Sequence, residues 1–139
     1  MQPLGDDRAA SAEPAHAAAK KRGTVIKVEK TSFGKALVNR AGRAVYLFDL
    51  ETGTTPQCYE DCARAWPPVL TKRKPVAGEG AKQGKLGTTM RTDGRRQVTY
   101  GGHPLYYYVH DTRDKILCHD VVEFGGRWLL LGPRGGALR

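Results

Sequence analysis

At 139 residues the chain offers one modest core and excludes two independent domains. Lys and Arg outnumber Asp and Glu by 23 to 14, a formal net charge of +9 that favours anionic partners and is silent about fold. No apolar run approaches the roughly eighteen residues of a membrane-spanning helix, and the start lacks the apolar stretch of a signal peptide.

Residues 1–22 are Ala-rich with scattered charge and hold no aromatic or β-branched residue. A flexible tail is expected there, since nothing anchors a core. From Thr24 onward come short apolar runs, Val25–Glu29, Ala36–Asn39 and Ala44–Asp49, with Arg40-Ala41-Gly42-Arg43 between the last two. Such runs parted by Gly-containing turns predict antiparallel hairpins. Beyond Gly53, Thr55 suits an N-cap, Pro56 the first helical position, and Glu60 and Asp61 the positive end of a helix dipole. A short helix around Cys58–Ala65 is therefore expected, stopped by Trp66-Pro67-Pro68.

Thr71–Lys85 is polar, basic and Gly-containing, which predicts a linker. After it, Thr88–Arg91 turns through Thr92-Asp93-Gly94-Arg95 into Gln97–Tyr100, with Asp-Gly supplying the tight turn. Gly101-Gly102 leads into Leu105–Val109, and Gly125-Gly126 lies between Val121–Phe124 and Arg127–Leu131. Gly132-Pro133-Arg134-Gly135 is expected to end the ordered chain. The predicted fold is mainly β: antiparallel hairpins in two similar repeats, about 23–70 and 84–133, forming one small domain over 23–139 with one short helix.

The repeats show in a phrase that recurs. Val45-Tyr46-Leu47-Phe48-Asp49-Leu50-Glu51-Thr52 is echoed by Leu105-Tyr106-Tyr107-Tyr108-Val109-His110-Asp111-Thr112, sixty positions later. The same offset aligns Val38 with Val98 and Gly42 with Gly102, which predicts that Tyr46 superposes on Tyr106 and Glu51 on Asp111. Tyr46 shares a strand face with Phe48, and Tyr106 with Tyr108, so core packing is the reading for these rings. Trp66 and Trp128 follow one phrase each and are expected to be buried beside it.

A carboxylate just before a turn typically accepts backbone N–H groups of that turn, and this is the role read for Glu51 and Asp111. As paired catalytic carboxylates they lack a nucleophile or base motif beside them. His103, His110 and His119 read as exposed or hydrogen-bonded side chains rather than ligands. Cys58 and Cys62 would share one helix face with Cβ atoms about 5–6 Å apart, wider than the roughly 3.8 Å of a disulfide. Three outcomes stay open: a bridge across a distorted turn, a bridge to Cys118, or a soft-metal site using all three thiolates. The expectation adopted is that Cys118 comes within bonding distance of Cys58 or Cys62 as a disulfide. No cofactor and no other metal site is expected.

The phrases resemble a known group, the secreted-repeat bacterial lipoproteins of unknown function marked by a Y-x-[FWY]-x-x-D motif. Tyr106-Tyr107-Tyr108-Val109-His110-Asp111 fits in full, whereas Tyr46-Leu47-Phe48-Asp49-Leu50-Glu51 carries Glu in place of Asp. Cys58-Tyr59-Glu60-Asp61-Cys62-Ala63-Arg64-Ala65-Trp66-Pro67-Pro68, Leu86-Gly87-Thr88-Thr89, Gln97 to Tyr106 and Glu123-Phe124-Gly125-Gly126-Arg127-Trp128 also look like family phrases. The resemblance implies an extracytoplasmic protein, in the periplasm, membrane-anchored or secreted, although the sequence shows neither signal peptide nor lipobox cysteine. Met1 to Arg22 resembles the Ala-rich tether behind a cleavage site, so loss of an export signal is the expectation. No activity comes with the resemblance. The expected function is a non-enzymatic, envelope-associated binding or interaction module with anionic envelope components as partners and no specific nucleic-acid binding. The alternative is a redox or soft-metal-handling protein using Cys58, Cys62 and Cys118.

Overall fold

The structure is a computed structural model, and it describes residues 23–139. The tail expected at 1–22 lies outside the described residues. The chain runs through β1 (Val25–Thr31), β2 (Gly34–Asn39), β3 (Tyr46–Phe48), α1 (Asp61–Ala65), β4 (Val76–Ala77), β5 (Leu86–Met90), β6 (Arg96–Tyr100), β7 (His103–Pro104), β8 (Val121–Glu123) and β9 (Gly126–Leu130). These make three small sheets, ordered β2-β1-β4, β3-β9-β8 and β5-β6-β7. Every pairing among them is antiparallel except β1 with β4. The fold is thus mostly β with one short helix, as the hairpin spacing predicts.

The middle sheet joins the two halves of the chain. Its β3 comes from the first half, and its β8–β9 hairpin from the second, with Tyr46 opposite Leu130 and Phe48 opposite Trp128. Because β3 is covered on both faces, all three of its residues are buried. That is why its sequence is a continuous apolar run rather than an alternating one. Alternation still sorts the side chains of β3 and of Val45 just before it: Val45 and Leu47 join a largely aliphatic cluster with Leu37, Val98 and Leu105, while Tyr46 and Phe48 join an aromatic one.

The repeat offset is not uniform, and the reason is local. In the first repeat the turn before β3 closes between Asn39 and Arg43, with Gly42 at φ 91°. In the second, Tyr100 faces His103 directly across Gly101-Gly102, and Gly102 sits at φ 84°. The first turn is one residue longer. Val45 donates its N–H to the Leu37 carbonyl as Leu105 does to that of Val98. Leu37, not Val38, is therefore the partner of Val98, which corrects the alignment upstream of the turn.

Three further departures from the sequence reading are visible. The helix spans Asp61–Ala65 and does not start at Thr55-Pro56, because Glu60 takes a positive φ of 55° immediately before it and breaks any earlier helical path. Residues 71–85 are built into the fold: Val76–Ala77 pairs with Val25–Ile26, and the Gln83 amide ties the Ala77 N–H to the Pro75 carbonyl. Ordered chain also continues past Gly135, since Leu138 donates to the Leu130 carbonyl and Ala137 bridges Leu131.

Candidate functional site

The motif residues meet at the junction of the two repeats. Tyr46 and Tyr106 face each other as an isolated antiparallel pair, exchanging N–H···O bonds of 2.8 and 3.0 Å. Their rings reach into opposite halves. The Tyr46 hydroxyl donates to Asp111 Oδ2 at 2.5 Å, and the Tyr106 hydroxyl donates to Glu51 Oε2 at 2.5 Å. Each repeat's tyrosine therefore holds the other repeat's carboxylate. All four side chains are buried.

Each carboxylate is also tied to its own turn. Glu51 Oε2 accepts the Gln57 N–H at 2.7 Å, and Asp111 Oδ1 accepts the Leu117 N–H at 2.9 Å, both six residues on. The Glu51 N–H returns to the Phe48 carbonyl and the Asp111 N–H to that of Tyr108. These loops are equivalent, so Glu stands in for Asp with the same partners. Oxygen atoms engaged in this way are acceptors in a structural network.

Burial raises the Glu51 carboxyl to about 7, against the opposing pull of the Tyr106 hydroxyl, the Gln57 N–H and Arg91. Asp111 is shifted up by burial too, with the Tyr46 bond as the largest counterweight. Both tyrosines are pushed well above the ordinary phenol range, chiefly by burial and then by the partner carboxylates. The hydroxyl thus remains the donor of each bond.

Around this clasp the rings form a second reciprocal layer. Trp66 stacks on Trp128 with centroids 4.1 Å apart. Tyr46 meets Trp66 edge to face at 5.1 Å, and Tyr106 meets Trp128 the same way at 5.2 Å. Phe48 stacks on Trp128 at 4.0 Å, while its counterpart Tyr108 tilts against Trp66 at 4.8 Å. Both tryptophans are fully buried. Glu123 caps them together: its Oε1 takes the Trp66 indole N–H and its carbonyl takes that of Trp128.

The sequence reading missed Arg91, Gln97, Arg43 and Glu123. Arg91 is 2% exposed, donates to Gln97 Oε1 and the Cys58 carbonyl, and lies over the Tyr59 ring. Arg43 donates to the Tyr108 carbonyl and covers the Tyr107 ring. In the sequence both arginines sit beside turns, where a cation is ordinarily exposed, so no local pattern marks them. Among the described residues, Glu51 Oε1, Arg91 Nε and Arg43 Nε are buried without a hydrogen-bond partner.

Cysteine pairing differs from the expectation. Cys58 and Cys62 form the disulfide, with Cα atoms 5.2 Å apart, and Cys118 is free. A Cβ separation too wide for a bridge holds only where both cysteines lie in a regular helix. In fact Cys58 precedes α1 and the chain bends at Glu60, which lets the pair close. The three-thiolate metal set is likewise gone, since two of its sulfurs are bonded to each other. Cys118 is the sixty-residue counterpart of Cys58, but Val122 stands where Cys62 would be. Among the described residues no cluster of three or more His, Cys, Asp and Glu is arranged to hold a metal ion. His119 Nδ1 accepts the Leu130 N–H, and burial lowers its basicity and that of His103.

A family model described as a secreted repeat of unknown function matches residues 27–70 and again residues 87–131. No curated protein and no solved structure matches the chain.

Proposed function

The chain belongs to the secreted-repeat family of unknown function, and from that membership we propose that it is a non-enzymatic, extracytoplasmic binding module of the cell envelope. The observation that carries this reading is the inward turn of the motif: Tyr46, Glu51, Tyr106 and Asp111 are buried and bonded to one another. Side chains engaged in this way hold the repeats together and leave the outer surface to meet partners. The Cys58–Cys62 bridge suits an oxidising compartment. The net charge of +9 points to anionic envelope components as the partners. No helix among the described residues is long and apolar enough to cross a membrane.

Co-sedimentation with vesicles containing anionic phospholipid, and separately with isolated anionic wall polymer, tests the reading. Binding to at least one of them is expected, weakening as salt is raised. Absence of binding to both at low salt, or binding indifferent to salt, would overturn it.

A further inference from the structure

We propose that the cleft between the Leu70–Lys72 segment and the β5–β6 hairpin is a binding site for an organic phosphodiester, its charge held by Lys72 and Arg96 and its carbon body by Leu70 and Met90. This rests on the binding reading above and gives it a place and a ligand class. The cleft is open to solvent and has a volume of about 520 Å³, within the roughly 300–1,000 Å³ of small-molecule sites. Thr24, Leu70, Lys72, Met90, Arg95 and Arg96 line it, and among the described residues no carboxylate does. Asp93, next to it in the hairpin turn, is engaged by the Arg95 Nε at 2.7 Å and the Arg95 N–H at 2.9 Å. Arg95 is thus partly neutralised, and among the described residues no carboxylate pairs with Lys72 or Arg96. A guanidinium presents a planar fork to phosphate oxygens, whereas an ammonium serves as a compact point charge.

The apolar share is as specific as the charge. Met90 is 56% exposed, an unusual state for a thioether on a strand, and it pairs across the ladder with Arg96. Leu70 is half-buried beside it. A ligand of this shape is amphiphilic, a charged diester joined to carbon.

The main chain that carries the cations is held in place, although their side chains are exposed. The buried Thr71 hydroxyl accepts the Thr24 N–H at 3.0 Å and donates to the Arg73 carbonyl at 2.5 Å, while the Thr71 N–H reaches the Arg96 carbonyl at 3.0 Å. Gly23 lies flush on the same segment, so that a Cβ there would come 2.2 Å from the Arg73 carbonyl oxygen. One threonine therefore ties together the three strands of chain that form the cleft, which lowers the ordering cost of binding. The cavity lined by Glu29, Lys30, Arg113, Asp114 and Lys115 offers no such preference, because its wall mixes both signs.

The test uses the whole chain with two probes: vesicles of phosphatidylglycerol in phosphatidylcholine, and soluble glycerophosphoglycerol, the diester headgroup without its acyl chains, as competitor. Lys72→Glu/Arg96→Glu is compared with Lys30→Glu/Lys35→Glu, an equal charge change on the exposed β1–β2 hairpin. Lys72→Gln/Arg96→Gln serves as the milder version should reversal impair folding. Cleft variants are expected to weaken vesicle binding about tenfold or more, and the hairpin variant by no more than about twofold. Competition by soluble glycerophosphoglycerol assigns the ligand to free phosphodiesters, and its absence assigns it to the lipid headgroup, both within the proposal. Equal losses in the two double variants would overturn the cleft while leaving the binding reading intact. If the unaltered protein binds neither probe but does bind a phosphate-free wall polymer whose charge is carboxylate, the phosphodiester is wrong and the reading stands. Failure to bind any anionic probe would overturn both.

Discussion

Tyr46 and Tyr106 each donate a main-chain N–H to the other's carbonyl, so the two copies of the motif are joined back to back at their first residues. An approximate twofold relation follows, because whatever Tyr46 does toward the second repeat, Tyr106 does toward the first. It accounts for the paired hydroxyl–carboxylate bonds and for the edge-to-face contact of each tyrosine with its own repeat's tryptophan. The motif is thereby a device for closing one repeat on the other.

Removing a single hydroxyl tests that role. Tyr46→Phe or Tyr106→Phe keeps the ring but leaves a buried carboxylate oxygen with one donor fewer, a loss of about 1–3 kcal/mol. Tyr46→Phe should cost the more of the two, since it takes from Asp111 Oδ2 the donor it has among the described residues, whereas Glu51 Oε2 keeps the Gln57 N–H when Tyr106 is changed. Urea unfolding measures both, and a variant whose midpoint does not move would show its hydroxyl to be dispensable to the clasp.

Stability should fall as pH rises through neutrality. The Glu51 carboxyl is raised from 4.5 to about 7 by burial, so the folded protein holds a proton there that the unfolded chain has already released. A raised carboxyl contributes its full stability below the unfolded value and loses it as pH climbs through the folded one. The expected loss between about pH 5 and pH 8 is on the order of 3 kcal/mol. The upward shift of Asp111 acts in the same direction. Glu51→Gln should flatten the profile, and a parent profile that rises over this range would contradict the buried, proton-holding Glu51.

Stacked indoles make a spectroscopic prediction. With Trp66 and Trp128 centroids 4.1 Å apart and nearly parallel, their transitions couple, and the folded protein should show an exciton couplet in circular dichroism. Trp66→Phe or Trp128→Phe should abolish it. Truncation of either to Ala should also destabilise by about 3–5 kcal/mol. A couplet that survives in either Phe variant would place the two rings apart.

The hairpins and the repeat were legible because they rest on local signals: Gly42 and Gly102 at positive φ, Asp93-Gly94 in its turn, apolar runs of strand length. The clasp was half legible. Parity placed Tyr46 and Phe48 on one strand face and turn logic gave the carboxylates their N–H partners, but nothing local says that Tyr46 bonds Asp111 rather than its own Glu51. Arg91 was invisible for a related reason, since its partners Gln97 and Cys58 are set by how the repeats pack. The parallel pairing of Val76–Ala77 with Val25–Ile26 is likewise a tertiary event. A two-residue strand leaves no periodicity to read.

The cysteines give the last prediction. Four residues separate Cys58 from Cys62, so their bridge removes little freedom from the unfolded chain. Loop-closure entropy for so short a link amounts to about 2 kcal/mol, well below what a long-range bridge to Cys118 would contribute. Reduction should therefore lower the unfolding midpoint without abolishing the fold, because the clasp and the tryptophan stack do not depend on it. Cys118 should be the one thiol that alkylates in the folded, non-reduced protein. The reaction should be slow at neutral pH, since burial shifts that thiol upward and thins its reactive thiolate. Peptide mapping without reductant should return a Cys58–Cys62 link alone. A peptide joining Cys118 to either partner would mean that the bend at Glu60 is not the native path of the chain, and Cys118 would then take over the bridging role that Cys58 has in its own repeat.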